Sequence, residues 1–77
     1  MQLEIITPDK NLFSGDVDSI IVPGIDGSLG ILNNHAPLIS ALKEGTVIVK
    51  TEKEEQQFDI NGGVIEIQNN KVIVLAE

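Results

Sequence analysis

Short apolar runs alternate with clusters of Gly, Pro, Asn and Asp roughly every 6–12 residues, a spacing that marks an all-β sandwich or barrel. The first run is Gln2–Thr7, closed by Pro8-Asp9-Lys10-Asn11. The second is Val17–Val22, entered from Ser14-Gly15-Asp16 and closed by Pro23-Gly24. Asp26-Gly27 predicts a tight turn, because both residue types tolerate positive φ. A short strand over Leu29–Leu32 follows. Asn33–Pro37 reads as a bend, since Pro37 holds Ala36 extended. Leu38–Leu42 fits a strand or a single helical turn, and we assign it to a strand. Glu44-Gly45 turns into Thr46–Thr51, and Glu52–Glu55 is a charged hairpin tip. Gln57–Asn61 alternates, with Phe58 and Ile60 on one face and Gln57, Asp59 and Asn61 on the other. Gly62-Gly63 permits a sharp bend or bulge. The last hairpin is Val64–Gln68, the turn Asn69-Asn70, and Lys71–Leu75. Consecutive strands of this kind predict an all-β, flattened antiparallel sandwich or barrel.

Several of these runs do not alternate. Ile5-Ile6, Ile20-Ile21-Val22, Val47-Ile48-Val49 and Val72 to Leu75 are apolar at every position. Neighbouring side chains on a strand point to opposite faces. A strand with one face in water should therefore alternate apolar and polar residues. One member of each pair fills the core, and the other lies on a face that two layers leave uncovered. An exposed apolar patch of that kind marks a protein interface.

Composition supports the same picture. With 77 residues the chain is long enough for one domain, assigned to residues 1–77. Its apolar residues are aliphatic, twelve Ile, seven Val and seven Leu against two Phe. β-branched side chains favour pleated surfaces over helices. Cys is absent, which removes disulfides, thiolate metal sites and thiol nucleophiles. Twelve acidic groups face five Lys and no Arg, for a net charge of −7. That charge opposes nucleic acid and anionic headgroups, which need basic patches. No secretory signal follows Met1, and no apolar stretch approaches the roughly 18–20 residues of a bilayer span, so a soluble chain is expected.

Catalytic constellations are not visible. His35 is the lone histidine, without companions at metal-ligand spacing. Ser14, Ser19, Ser28 and Ser40 lack a base and an orienting group. Asp16 and Asp18 read as a solvated rim on one face of a short strand. Gly24, Gly27 and Gly30 are followed by no Lys-Ser or Lys-Thr and no predicted helix, which suits turns and close packing better than a phosphate loop. The pair Asp9-Lys10 resembles the modified lysine of lipoyl-type carrier domains. However, it follows the first strand, and its flanks Pro8 and Asn11 do not match that motif. A small carrier domain with a modified Lys is thus the alternative to a docking module.

A longer resemblance runs through Leu12-Phe13-Ser14-Gly15, Val17 to Pro23, Gly27-Ser28-Leu29-Gly30-Ile31-Leu32 and His35-Ala36-Pro37-Leu38. It continues through Gly62-Gly63-Val64-Ile65-Glu66-Ile67 and Val72 to Ala76. In these segments the chain resembles the epsilon subunit of F-type ATP synthases over essentially its whole length. The resemblance implies a flattened antiparallel β-sandwich of about ten short strands. It implies a non-catalytic rotor subunit at the foot of the central stalk, coupling proton flow through the c-ring to ATP synthesis. The implied partners are the gamma subunit and the c-ring. The implied location is peripheral, on the cytoplasmic face of a bacterial inner membrane. By position, Ile25, Asp26, Gly27, Ser28 and Leu29 correspond to the loop facing the c-ring. Many relatives have an acidic residue where this chain has Ser28, so either Asp26 supplies any anchoring charge there or the contact is weaker in this chain. His35, Ile39, Ser40 and Thr46 fall in the segment similar to the gamma-facing surface. Many relatives also carry a C-terminal pair of α-helices, and some of them bind ATP. The resemblance here ends at Glu77 after the last strand, and it implies neither a cofactor nor a nucleotide site.

Overall fold

The computed structural model describes residues 1–77. Nine strands follow one another: β1 (Gln2–Ile6), β2 (Asn11–Asp16), β3 (Ser19–Gly24), β4 (Gly27–Leu32), β5 (Leu38–Leu42), β6 (Gly45–Lys50), β7 (Glu55–Ile60), β8 (Gly63–Gln68) and β9 (Lys71–Ala76). They form one curled sheet in the order β2-β1-β9-β8-β5-β3-β6-β7, with β4 paired to β3. The junction between β5 and β3 is narrow. It has one Cα pair, Gly24 with Leu42. Two flanking bonds extend it, as Ile25 N–H donates to the Ala41 carbonyl (3.1 Å) and Lys43 N–H to the Pro23 carbonyl (2.9 Å). This seam separates a five-stranded layer, β2-β1-β9-β8-β5, from a four-stranded layer, β4-β3-β6-β7.

The core lies between the layers. Leu3, Ile5, Ile65, Ile67, Val72 and Val74 face inward from the first, and Ile20, Val22, Ile31, Val47 and Val49 from the second, each no more than 2% exposed. Register explains why they meet. Ile5, Val74 and Ile65 stand opposite one another on β1, β9 and β8. Ile31, Ile20 and Val49 do so on β4, β3 and β6. The rings of Phe13 and Phe58 bridge β2 and β7, the two ends of the curled sheet, edge to face with centroids 5.9 Å apart. That geometry suits the ring quadrupole. Met1 plugs one end of the core. Its ammonium donates to the Val17 carbonyl (3.0 Å) and to Asn33 Oδ1 (2.7 Å), and it pairs with Asp16 (3.2 Å).

The all-β expectation holds, with three differences. First, among the nine short strands, β2 spans Asn11–Asp16, where the sequence pattern suggests turn residues. As the terminal strand of the sheet, β2 needs no second neighbour and tolerates polar side chains. Second, the sheet is not wholly antiparallel, because β1 runs parallel to β9. Third, Asp18 lies outside any strand, in the connection to β3, so it does not share a strand face with Asp16. The ambiguous segment Leu38–Leu42 is a strand, antiparallel to β8. The Asn69-Asn70 turn takes positive φ at both residues (53° and 58°), as a two-residue hairpin requires. Gly62 and Gly63 also have positive φ (138° and 140°). A β-carbon on Gly63 would collide with the Leu75 carbonyl, so this bend is closed to larger residues.

Candidate functional site

The strands that are apolar on both faces divide their side chains as the sequence predicts. Ile6, Ile21, Ile48, Ile73 and Leu75 face outward while their neighbours are buried. On the five-stranded layer these outward residues are contiguous. Ala41, Val64, Leu75 and Ile6 form a cross-strand row over β5, β8, β9 and β1. The adjacent row on the same face is Ile39, Glu66, Ile73 and Glu4. Ile39 is 73% exposed and Leu75 51%. Beside Ile39, a shallow groove of about 410 Å³ is lined by Pro37, Leu38, Ile39, Glu66, Ile67 and Gln68. Further along, Lys71 reaches Glu4 at 3.7 Å and starts the polar margin. The other layer has a smaller outward group, Ile21 beside Ile48, with Leu32 67% exposed near the end of β4.

The hairpin between β3 and β4 lies at the seam between the layers, where Ile25 N–H donates to the Ala41 carbonyl of β5. Its loop is Ile25-Asp26, closed by the pair Gly24 and Gly27. A β-carbon on Gly24 would stand 2.5 Å from the Gly27 carbonyl oxygen, so this close approach requires glycine. Ile25 at the tip is 59% exposed. Ser40 lines the same small cleft as Ile25, Asp26, Gly27, Ser28 and Leu29.

These placements separate residues that are close in sequence. Ser40 lies beside the hairpin, next to the five loop residues. Ile39 points outward on the apolar face of the five-stranded layer. Thr46 lies on β6 in the other layer, its hydroxyl donating to Asp59 Oδ1 at 2.9 Å. His35 follows β4 at the opposite end from the hairpin, roughly 16 Å away at a strand rise of about 3.3 Å per residue. Its Nδ1 donates to the Ala36 carbonyl at 2.7 Å, and Asn34 N–H beside it donates to Asn70 Oδ1 at 2.7 Å. The four residues His35, Ile39, Ser40 and Thr46 therefore share no cross-strand row. Sequence reasoning did not single out Ile6, Ala41, Val64 or Leu75 as one surface. Their doubled apolar runs were the available signal, but only register joins them.

The functional geometry is thus a two-layer β-module with apolar outer surface and a glycine-closed hairpin at the seam between its layers. The chain belongs to the family described as the ATP synthase, Delta/Epsilon chain, beta-sandwich domain, which matches residues 1–77. It is 48% identical over 77 residues to the ATP synthase epsilon chain of Chlorobium limicola, covering 99% of this chain and 88% of that one. It is 45% identical over 76 residues to that of Chlorobaculum tepidum, covering 97% and 86%. Against the epsilon chain of Desulforamulus reducens it is 43% identical over 76 residues but spans 58% of that protein. Among solved structures, the fold is similar to a chain in the Euglena gracilis mitochondrial ATP synthase, OSCP/F1/c-ring. There the TM-score is 0.89 at 22% identity, covering 96% of this chain and 48% of that one. A chain in the central stalk/c-ring structure of the Tetrahymena thermophila mitochondrial ATP synthase gives a TM-score of 0.84 at 18% identity, covering 97% and 61%. None of these comparisons favours the lysine-carrier alternative.

Proposed function

We propose that residues 1–77 act as one epsilon-type docking domain, a non-catalytic part of the central stalk of a proton-translocating ATP synthase. It links the gamma subunit to the c-ring, so that rotation of one carries the other. The observation that carries this reading is the apolar outer face of the five-stranded layer, in a chain whose relatives are ATP synthase epsilon chains. A sheet needs one apolar face to fold, and a second such face is stabilised by a protein partner. Gamma is assigned to this face through Ile39; His35, Ser40 and Thr46 lie off this face and are candidate contacts only where gamma extends beyond it. The c-ring is assigned to Ile25, Asp26, Gly27, Ser28 and Leu29, because this hairpin ends in an exposed Ile beside a carboxylate. The domain would then sit at the membrane surface, on the cytoplasmic side in a bacterium, held there by protein contacts.

The test is reconstitution. ATP synthase depleted of this chain is returned to vesicles with and without it, and ATP-driven proton pumping is measured per ATP hydrolysed. Coupling should rise when the chain is restored. Equal coupling without it refutes the proposed role. Affinity capture from detergent-solubilised membranes should also recover gamma and the c-subunit.

A further inference from the structure

β2, β7 and β4 each pair with one neighbour only, β1, β6 and β3 respectively. An open strand edge offers its N–H and C=O groups to any extended chain, and proteins blunt such edges with charges, prolines or bulges. β2 does so with Asp16 at its end and a register shift on β1. β7 does so with the exposed carboxylates of Glu55 and Asp59. β4, Gly27-Ser28-Leu29-Gly30-Ile31-Leu32, has no charge, no proline and no register shift against β3. The hydrogen bonds show which of its groups are free. Pro23 has no N–H, and its carbonyl accepts from Lys43 N–H across the seam, so Pro23 and Ser28 face each other without bonding. Antiparallel pairs alternate between bonded and non-bonded, so Ile21–Gly30 and Ser19–Leu32 are non-bonded too. The N–H and C=O groups of Ser28 and Gly30, and the N–H of Leu32, therefore point away from β3 along the open edge. The Leu32 carbonyl points the same way and accepts from His35 N–H at 3.2 Å. Ser28, Gly30 and Leu32 are all exposed, and a β-carbon on Gly30 would meet nothing within 4 Å.

We propose, resting on the gamma-docking reading above, that the open edge of β4 receives an extended segment of gamma, which adds a strand to the sheet. The edge defines the chemistry of its occupant. Its donors and acceptors recur every second residue, about 6.6 Å apart, a spacing that another extended backbone matches. Leu32, 67% exposed at one end of the row, adds an apolar contact. Gly30 at the middle lets a second backbone approach closely. The edge is also continuous with the surface assigned to gamma. At its head, Ser28 and Leu29 share a cleft with Ser40, the neighbour of Ile39 on β5. Past its far end lies His35. Two copies of this chain joined edge to edge would bring together net charges of −7, which opposes self-pairing.

Amide hydrogen exchange is measured on the purified chain, alone and bound to epsilon-depleted F1, which carries gamma without the c-ring. Exchange at Ser28, Gly30 and Leu32 should be fast in the free chain and slow by about tenfold or more on binding. Binding that leaves these three amides fast overturns the added strand and leaves the docking reading standing. Absence of binding overturns both. Protection that grows in the free chain with its concentration assigns the edge to a second copy and overturns the gamma segment. Gly30→Pro removes one donor at an edge position that tolerates proline, and it should weaken F1 binding about tenfold or more. Gly30→Ala keeps the donor and should bind as the parent does. Equal affinity of the proline variant, or an equal loss in Gly30→Ala, overturns the backbone pairing. If the proline variant does not fold, exchange at the three amides of the parent decides alone.

Discussion

Truncating Ile39 to Ala separates docking from folding. Ile39 exposes 73% of its surface, on the outward face of β5 and opposite Glu66. Complete burial of an Ile side chain contributes roughly 1.5–3 kcal/mol, so covering the exposed three-quarters contributes roughly 1–2 kcal/mol. Removing most of that side chain should weaken association with gamma roughly five- to thirty-fold in Kd, at about 1.4 kcal/mol per tenfold. The isolated chain should lose no more than about 0.5 kcal/mol, since a side chain in water stabilises little. Titration of the purified chain onto epsilon-depleted F1, by calorimetry or surface capture, gives the Kd. Urea unfolding of the same variant gives the stability. An unchanged Kd would show that Ile39 stays in water in the complex. Loss of stability in step with affinity would show that the residue supports the fold instead.

Ile65 is fully buried on β8, and Ile65→Ala should cost about 2–5 kcal/mol by urea denaturation, a large share of the roughly 4–12 kcal/mol expected for a domain of this length. Gly63→Ala places a β-carbon on the Leu75 carbonyl at positive φ, and a loss of roughly 2–5 kcal/mol is expected; a variant within about 0.5 kcal/mol of the parent would mean the bend relaxes freely. Glu66→Gln should leave the isolated chain unchanged within about 0.5 kcal/mol. In the complex it should weaken gamma binding by roughly 2–5 kcal/mol and flatten its salt dependence, whereas equal affinity across salt would place Glu66 in water. Lys50→Met removes an exposed pairing with Glu55 at 3.8 Å, and thermal or urea unfolding should shift by less than about 1 kcal/mol.

The strands were legible where side-chain chemistry carries the information. Doubled apolar runs such as Val72 to Leu75 located buried strands, and Asn69-Asn70 located a hairpin, because the positive φ needed there selects those residues. The strand β2 was not legible, since its Asn11, Ser14, Gly15 and Asp16 carry turn-like chemistry and only Leu12 and Phe13 point to a core. The parallel pairing of β1 with β9 was not legible either, because alternation of burial is the same for either strand direction. The site divided in the same way. An outward apolar surface could be read from Ile21, Ile48, Ile73 and Leu75. Its shape could not, since the row of Ala41, Val64, Leu75 and Ile6 draws on four strands from three parts of the chain. His35 and the hairpin, ten residues apart or fewer in sequence, are at opposite ends because β4 runs its full length between them.

The arrangement of charge within the apolar face bears on which partner fits it. Glu66 stands between Ile39 and Ile73, and Glu4 lies beyond Ile73 in the same row. A wholly apolar patch would adhere to any greasy surface, its own copies included. A carboxylate inside the patch changes that. Burying it against carbon leaves a charge without water or a counter-ion, at a cost of several kcal/mol. Two copies meeting through this face would bring like charges together, in a chain whose net charge is already −7. Only a surface that offers both apolar contact and a cation opposite Glu66 avoids the penalty. The isoleucines supply attraction, and the carboxylate supplies discrimination by opposing every other partner.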